Sequence, residues 1–162
     1  MLYSINLFTL PAMSILICYD GSASAKHALV VAHDTLGHRP VTLLHVWTPP
    51  AAVLADAFST RSGAGPSRED LEEFARARAL EIVAEGARIG DELGFTVEPR
   101  IERCGAAVWQ TILEVADEVD ADLIVSGTHG TTAVQSSILG SVSNGVVHHS
   151  RRPVLIVPAA SE

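Results

Sequence analysis

Short runs of β-forming residues alternate with longer stretches of helical period along most of the chain. That alternation confines the fold to a mostly parallel sheet covered by helices, because parallel neighbours need a crossover between them. The first run, Ser14-Ile15-Leu16-Ile17-Cys18-Tyr19, is continuously apolar, as a strand covered on both faces should be. Asp20-Gly21-Ser22 then supplies a turn and a helix N-cap. Ala25, Ala28, Leu29, Ala32 and Leu36 fall on one helical face, and Gly37 is placed to end that helix. Val41 to Trp47 reads as the second strand. Thr48 to Pro66 carries three Pro and two Gly without a sustained period, which predicts a long mobile loop with a short turn near Val53 to Phe58.

Ser67, followed by Arg68, Glu69 and Asp70, resembles a helix start. Leu71, Ala75, Ala79, Ile82, Gly86, Ile89 and Leu93 keep one face of that helix apolar until Gly94 closes it. Thr96 to Glu102 reads as a third strand, and Pro99 inside it points to a sheet edge. Val108, Ile112, Val115, Ala116 and Val119 mark another amphipathic helix, and Asp122 to Ser126 a fourth strand. A last helix is expected over Ser141 to His149 and a final strand over Pro153 to Val157. At 162 residues the chain makes one domain, here residues 13 to 158, with a short tail at 159 to 162. Met13 stands directly before the first strand pattern, so residues 1 to 12 are read as an upstream-start extension or a mobile arm.

Charge removes some function classes. A formal charge of −8 and an isoelectric point near 5.3 argue against nonspecific nucleic-acid binding, which needs a surface rich in Lys and Arg. They do not exclude a phosphate ligand, since backbone N–H groups at a helix N-terminus supply positive potential locally. The first twelve residues lack a basic segment, and no run approaches the ~18 apolar residues of a membrane span. A cytoplasmic protein without a membrane partner is therefore expected. Cys18 and Cys104 lack the spacing of a metal or redox pair and read as small core residues.

The stretch with chemical content is Gly127-Thr128-His129-Gly130, nine further residues, then Gly140-Ser141-Val142-Ser143. Glycines there permit positive φ and let backbone amides approach phosphate oxygens, while Ser141 and Ser143 add hydroxyl donors at a helix start. A plainer reading is equally open, in which two glycines make a turn and Gly140-Ser141 is an ordinary cap. The spacing matches neither a Walker loop nor the dinucleotide GxGxxG fingerprint.

Taken with Ile15-Leu16-Ile17-Cys18-Tyr19-Asp20-Gly21-Ser22, Leu44-His45-Val46 and Asp122 to Ser126, this stretch resembles the universal stress protein family, from Met13 to Pro158. The resemblance implies an open parallel five-stranded α/β sheet in the order 3-2-1-4-5, Rossmann-like, with the switch point between strands one and four. It also implies an ATP site. Residues matching Asp20 and Val46 meet the nucleoside end, and those matching Gly127, Gly130, Gly140, Ser141, Val142 and Ser143 surround the phosphates. Mg²⁺ would accompany the triphosphate, and a homodimer through the final strand is implied.

One position departs from the family pattern. His129 stands where the family often has Arg, and two readings are equally open: a protonated imidazole that contacts phosphate, or a solvent-exposed loop residue. His148-His149 point about 100° apart on a helix, which suits a C-terminal polar role better than a metal pair. His45 reads as a hydrogen-bonded core residue, and Trp109 as packing at a helix edge. No nucleophile, base and orienter set is visible, so the expected function is an ATP-binding stress-response module with at most slow hydrolysis or self-phosphorylation. The alternative is a dimeric interaction protein whose nucleotide site is vestigial.

Overall fold

The computed structural model describes residues 13–50, 67–130 and 139–160. The expected extension at 1–12, the turn near Val53 to Phe58 and the chain between Gly130 and Leu139 lie outside these. Within them run β1 (Ile15–Cys18), α1 (Ala23–Leu36), β2 (Pro40–Trp47), α2 (Arg68–Leu93), β3 (Thr96–Arg103), α3 (Val108–Glu118), β4 (Leu123–Gly127), α4 (Ser141–His149) and β5 (Val154–Val157). The five strands form one sheet in the order β3-β2-β1-β4-β5, and every neighbouring pair is parallel. This is the expected topology. β4 runs one residue further than the sequence suggests because Gly127 stays in register with Val157.

Local chemistry explains the helix ends. The Ser22 hydroxyl accepts the Ala25 N–H at 3.1 Å to cap α1, whose other end closes at Gly37 with φ of 71°. α2 opens with a reciprocal capping box, in which Ser67 Oγ accepts from the Asp70 N–H and the Asp70 carboxylate accepts from the Ser67 N–H. It ends at Gly94 in the left-handed region, φ 103°.

Strand alternation splits the core into two layers. Ile15, Ile17, Tyr19, Leu43 and Val125 face α1 and α2, where they meet Ala28, Leu29 and Val83. Leu16, Leu44 and Ile124 face α3 and α4, where they meet Ile112, Val115 and Val146. Each fully buried aliphatic side chain of this kind contributes roughly 1.5–3 kcal/mol relative to exposure. The two sheet edges differ. β3 carries Glu98, Pro99, Arg100 and Glu102, and Arg100 pairs with Glu102 and with Glu118 of α3. β5 is the unbroken apolar run Val-Leu-Ile-Val.

Candidate functional site

β1 and β4 are neighbours in the sheet, but the helices that follow them pack on opposite faces, α1 with one layer and α4 with the other. A crevice must open where the chain diverges, beyond the carboxyl ends of the strands. A cleft of about 770 Å³ lies there, within the range that holds a small ligand. All eight residues assigned to a nucleotide from the sequence line it: Asp20, Val46, Gly127, Gly130, Gly140, Ser141, Val142 and Ser143.

Asp20 leaves the end of β1. One carboxylate oxygen accepts the Ser22 N–H at 3.0 Å, which is the turn role. The other lies against the glycine loop, where a Cβ on Gly130 would stand 2.7 Å from Oδ2. The two ends of the motif therefore meet, and the turn does not exclude the site.

Of the two reasons expected for the loop glycines, positive φ is not realised at the described positions, and close approach is realised against the protein's own groups. Positive φ occurs at Gly21, Gly37 and Gly94 among the described glycines, and not at Gly127, Gly130 or Gly140. Gly140 is extended, with φ −66° and ψ 161°. Close approach is what requires glycine. A Cβ on Gly127 would strike Ser24 Oγ and reach within 3.0 Å of the Ser24 backbone, and one on Gly140 would sit 3.0 Å from the Thr128 carbonyl.

Gly140 caps α4 without a side chain, and the first intrahelical bond is Asn144 N–H to Gly140 O at 2.9 Å. The amides of Ser141, Val142 and Ser143 therefore precede the helical ladder and lack partners within it. Amides so placed, together with the helix dipole, favour negative charge at that end of the cleft. Arg78 is the one Lys or Arg among the described lining residues, and it pairs with Glu81 at 2.7 Å. Positive potential at the α4 end of the cleft thus comes chiefly from backbone. His129 also lines the cleft, with Nδ1 3.0 Å from Thr128 Oγ1.

The serines divide in role. Ser141 is exposed, whereas Ser143 is 4% exposed and donates its hydroxyl to the Gly127 carbonyl at 2.7 Å. Both hydroxyls were expected as donors, and in this structure the Ser143 hydroxyl bonds the loop carbonyl while Ser141 is the exposed one of the pair.

Other groups at the strand tips are quiet. His45 is buried, and Nδ1–H donates to the Tyr19 carbonyl at 2.8 Å. Burial holds its pKa below the ordinary value, so the ring is neutral at pH 7, in line with a hydrogen-bonded core residue. Burial, reinforced by Asp20, pushes the Cys18 thiol up to about 12 and leaves it unreactive, and burial also raises Cys104. The Tyr19 hydroxyl donates to Glu85 at 3.2 Å, and Lys26 pairs with the same carboxylate at 2.7 Å. Burial first, and Glu85 next, push the Tyr19 phenol above its usual range.

Sequence reasoning did not reach the α2 wall, formed by Phe74, Ala75, Arg78, Ala79 and Ile82. Phe74 is 72% exposed on an otherwise charged helix face, and that anomaly was its one available signal. At the far end of α4, His149 stacks on Trp109 with ring centroids 4.2 Å apart, and its Nδ1–H donates to the Gly145 carbonyl at 2.9 Å. The described residues contain no cluster of three metal-ligating side chains, and no helix among them is long and apolar enough to cross a membrane.

Residues 12–158 match the universal stress protein family. The chain is 34% identical over 146 residues to the universal stress protein in the QAH/OAS sulfhydrylase 3′ region of Thermus aquaticus, covering 89% of this chain and 97% of the relative. It is 30% identical over 147 residues to universal stress protein MJ0577 of Methanocaldococcus jannaschii, covering 85% and 90%. The solved structure of MJ0577 superposes with a TM-score of 0.75 at 25% identity, covering 94% of this chain and all of that one. A universal stress family protein from Arabidopsis thaliana, solved with AMP bound, shares the fold at a TM-score of 0.63 and 18% identity, covering 92% and 93%.

Proposed function

The chain belongs to the universal stress protein family, and from that premise we propose that it binds ATP in the crevice between β1 and β4 and acts as a stress-response and signalling module. The observation that carries the reading is the convergence of Asp20, Val46 and the Gly127 to Ser143 motif on one cleft, beside an α4 N-terminus with no side-chain cap. The phosphates take the amides of Ser141 to Ser143, and the nucleoside lies toward Asp20 and Val46. The AMP carried by the Arabidopsis protein of the same fold supports an adenine nucleotide as the ligand class.

Mg²⁺ enters with the triphosphate and offsets repulsion between its charge and Asp20. Slow hydrolysis, or self-phosphorylation at a loop Ser or Thr, is as much turnover as the reading allows, because the sequence offers no evident set of nucleophile, base and orienter. Two free thiols, one of them lining the cleft, suit a reducing cytoplasm.

A second reading is favoured by β5, whose apolar edge is suited to pairing with another copy: a dimeric interaction protein in which the nucleotide site is vestigial. Titration calorimetry with Mg²⁺ and ATP, run beside acid extraction of the purified protein, separates the two. Micromolar or co-purifying ATP, lost in Gly127→Val, supports the nucleotide module. Absence of binding in the unaltered protein rejects it and leaves the dimer.

A further inference from the structure

We infer that Ser143 is a positioning residue, which aims the amides of α4 at the anion by clamping the helix to the end of β4, and does not donate its hydroxyl to the ligand. The inference rests on the ATP reading for its affinity arm, while the clamp stands apart from it.

The geometry is a stem of consecutive carbonyls. Ser143 Oγ donates to Gly127 O at 2.7 Å, with a second, longer leg to Thr128 O at 3.4 Å. The Gly140 N–H donates to the same Thr128 O at 2.7 Å. Ser126 Oγ adds a hydroxyl to Gly127 O at 3.1 Å, so that carbonyl has a donor for each of its two lone pairs. The strand end and the helix start are thus tied independently of the chain that connects them.

Chemistry then fixes what Ser143 can do. A hydroxyl has one proton, and phosphate oxygens only accept. With its proton on Gly127 O and its side chain 4% exposed, Ser143 has nothing to give an anion. Its backbone N–H does, and so do those of Ser141 and Val142, provided that the first turn of α4 is held still. Preorganised amides bind without an ordering cost at the moment of binding. The absence of a side chain at Gly140 serves the same end, because a Cβ there would stand 3.0 Å from the Thr128 carbonyl that the clamp uses.

The test uses the full chain and three variants, Ser143→Ala, Ser143→Thr and Ser141→Ala. Two quantities are read: exchange of the hydrogen-bonded Gly140 and Asn144 amides without nucleotide, and the Kd for ATP with Mg²⁺. Ser143→Ala should accelerate exchange at these amides about tenfold and weaken ATP about tenfold, the factor set by one lost buried hydrogen bond of ordinary strength. Ser143→Thr, which keeps the hydroxyl, should restore both, and Ser141→Ala should leave exchange unchanged. Unaltered exchange in Ser143→Ala overturns the clamp. Faster exchange with unaltered ATP affinity overturns its role in binding, and so does failure of Ser143→Thr to restore affinity. Should Ser143→Ala not fold, Ser143→Cys, of similar size and a weak donor, carries the same comparison. A wild-type chain that binds no ATP would sink the nucleotide reading alone, since exchange still decides the clamp.

Discussion

Two strand-to-helix junctions flank the crevice, and they solve the same problem in opposite ways. After β1 the chain provides for itself: Ser22 caps α1 by accepting the Ala25 N–H, and Asp20 accepts the Ser22 N–H. After β4 it does not. Gly140 caps α4 with no side chain, while the Ser143 hydroxyl that could have turned to solvent or ligand is tied back to Gly127. A helix start that satisfies its own donors is a structural joint, and one that leaves them unsatisfied at the mouth of a cleft is a binding device. The carboxyl ends of two adjacent strands carry one of each.

The contrast can be broken most severely at Gly127. Gly127→Val drives a branched side chain into Ser24, and should abolish measurable ATP binding while lowering stability by about 1–3 kcal/mol. Retained micromolar binding would mean that the β4 end is not the site. Next comes Gly140→Asp, which gives α4 a side-chain cap, as the hydroxyls of Ser22 and Ser67 cap α1 and α2, but a charged one. It places a negative charge where phosphate should sit, so ATP affinity should fall at least about tenfold by calorimetry. A variant binding as tightly as wild type would show that the α4 amides do not hold the anion.

The reciprocal change is Ser22→Ala at the self-sufficient junction. Chemical denaturation should register a loss of about 1 kcal/mol, with ATP affinity within about twofold of wild type. Equal losses of binding at the two junctions would erase the distinction. The smallest effect belongs to His45, which bonds the Tyr19 carbonyl beside the first junction. Its folded-state pKa lies below 6.5, so the unfolded chain takes up the proton first and stability is lost as pH falls from about 7 through that value. The decline should be shallower in His45→Gln, and identical pH profiles would remove His45 from the account.

Most of the fold was legible because it follows from local rules. Continuous apolar runs gave the central strands, Pro99 gave an edge, and Ser67 with Asp70 gave a cap that the structure realises as a reciprocal pair. Periodicity alone did not give the strand order, which came from resemblance. In the site, the residues were legible and some of their reasons were not. Gly127 and Gly140 were expected to supply positive φ and room for a ligand to approach, and the room is also needed for the protein itself, because the colliding groups belong to Ser24 and Thr128 across the fold. Ser143 looked like a ligand donor because sequence shows that a hydroxyl is near a helix start, not where its proton goes. The Lys26, Glu85 and Tyr19 contacts span up to 66 positions and have no local signature.

The unequal edges of the sheet carry a consequence for stoichiometry. In the language of polymer chemistry, a sheet reactive at both ends is a bifunctional monomer and can grow without limit. Among its described strands, this one has a single apolar edge. Proline and the alternating charges of β3 act as a chain terminator at one end, and the apolar β5 leaves the other end able to couple. On the dimer reading, pairing β5 with a second β5 would occupy the apolar edge of both copies at once and so favour closure at two over continued growth.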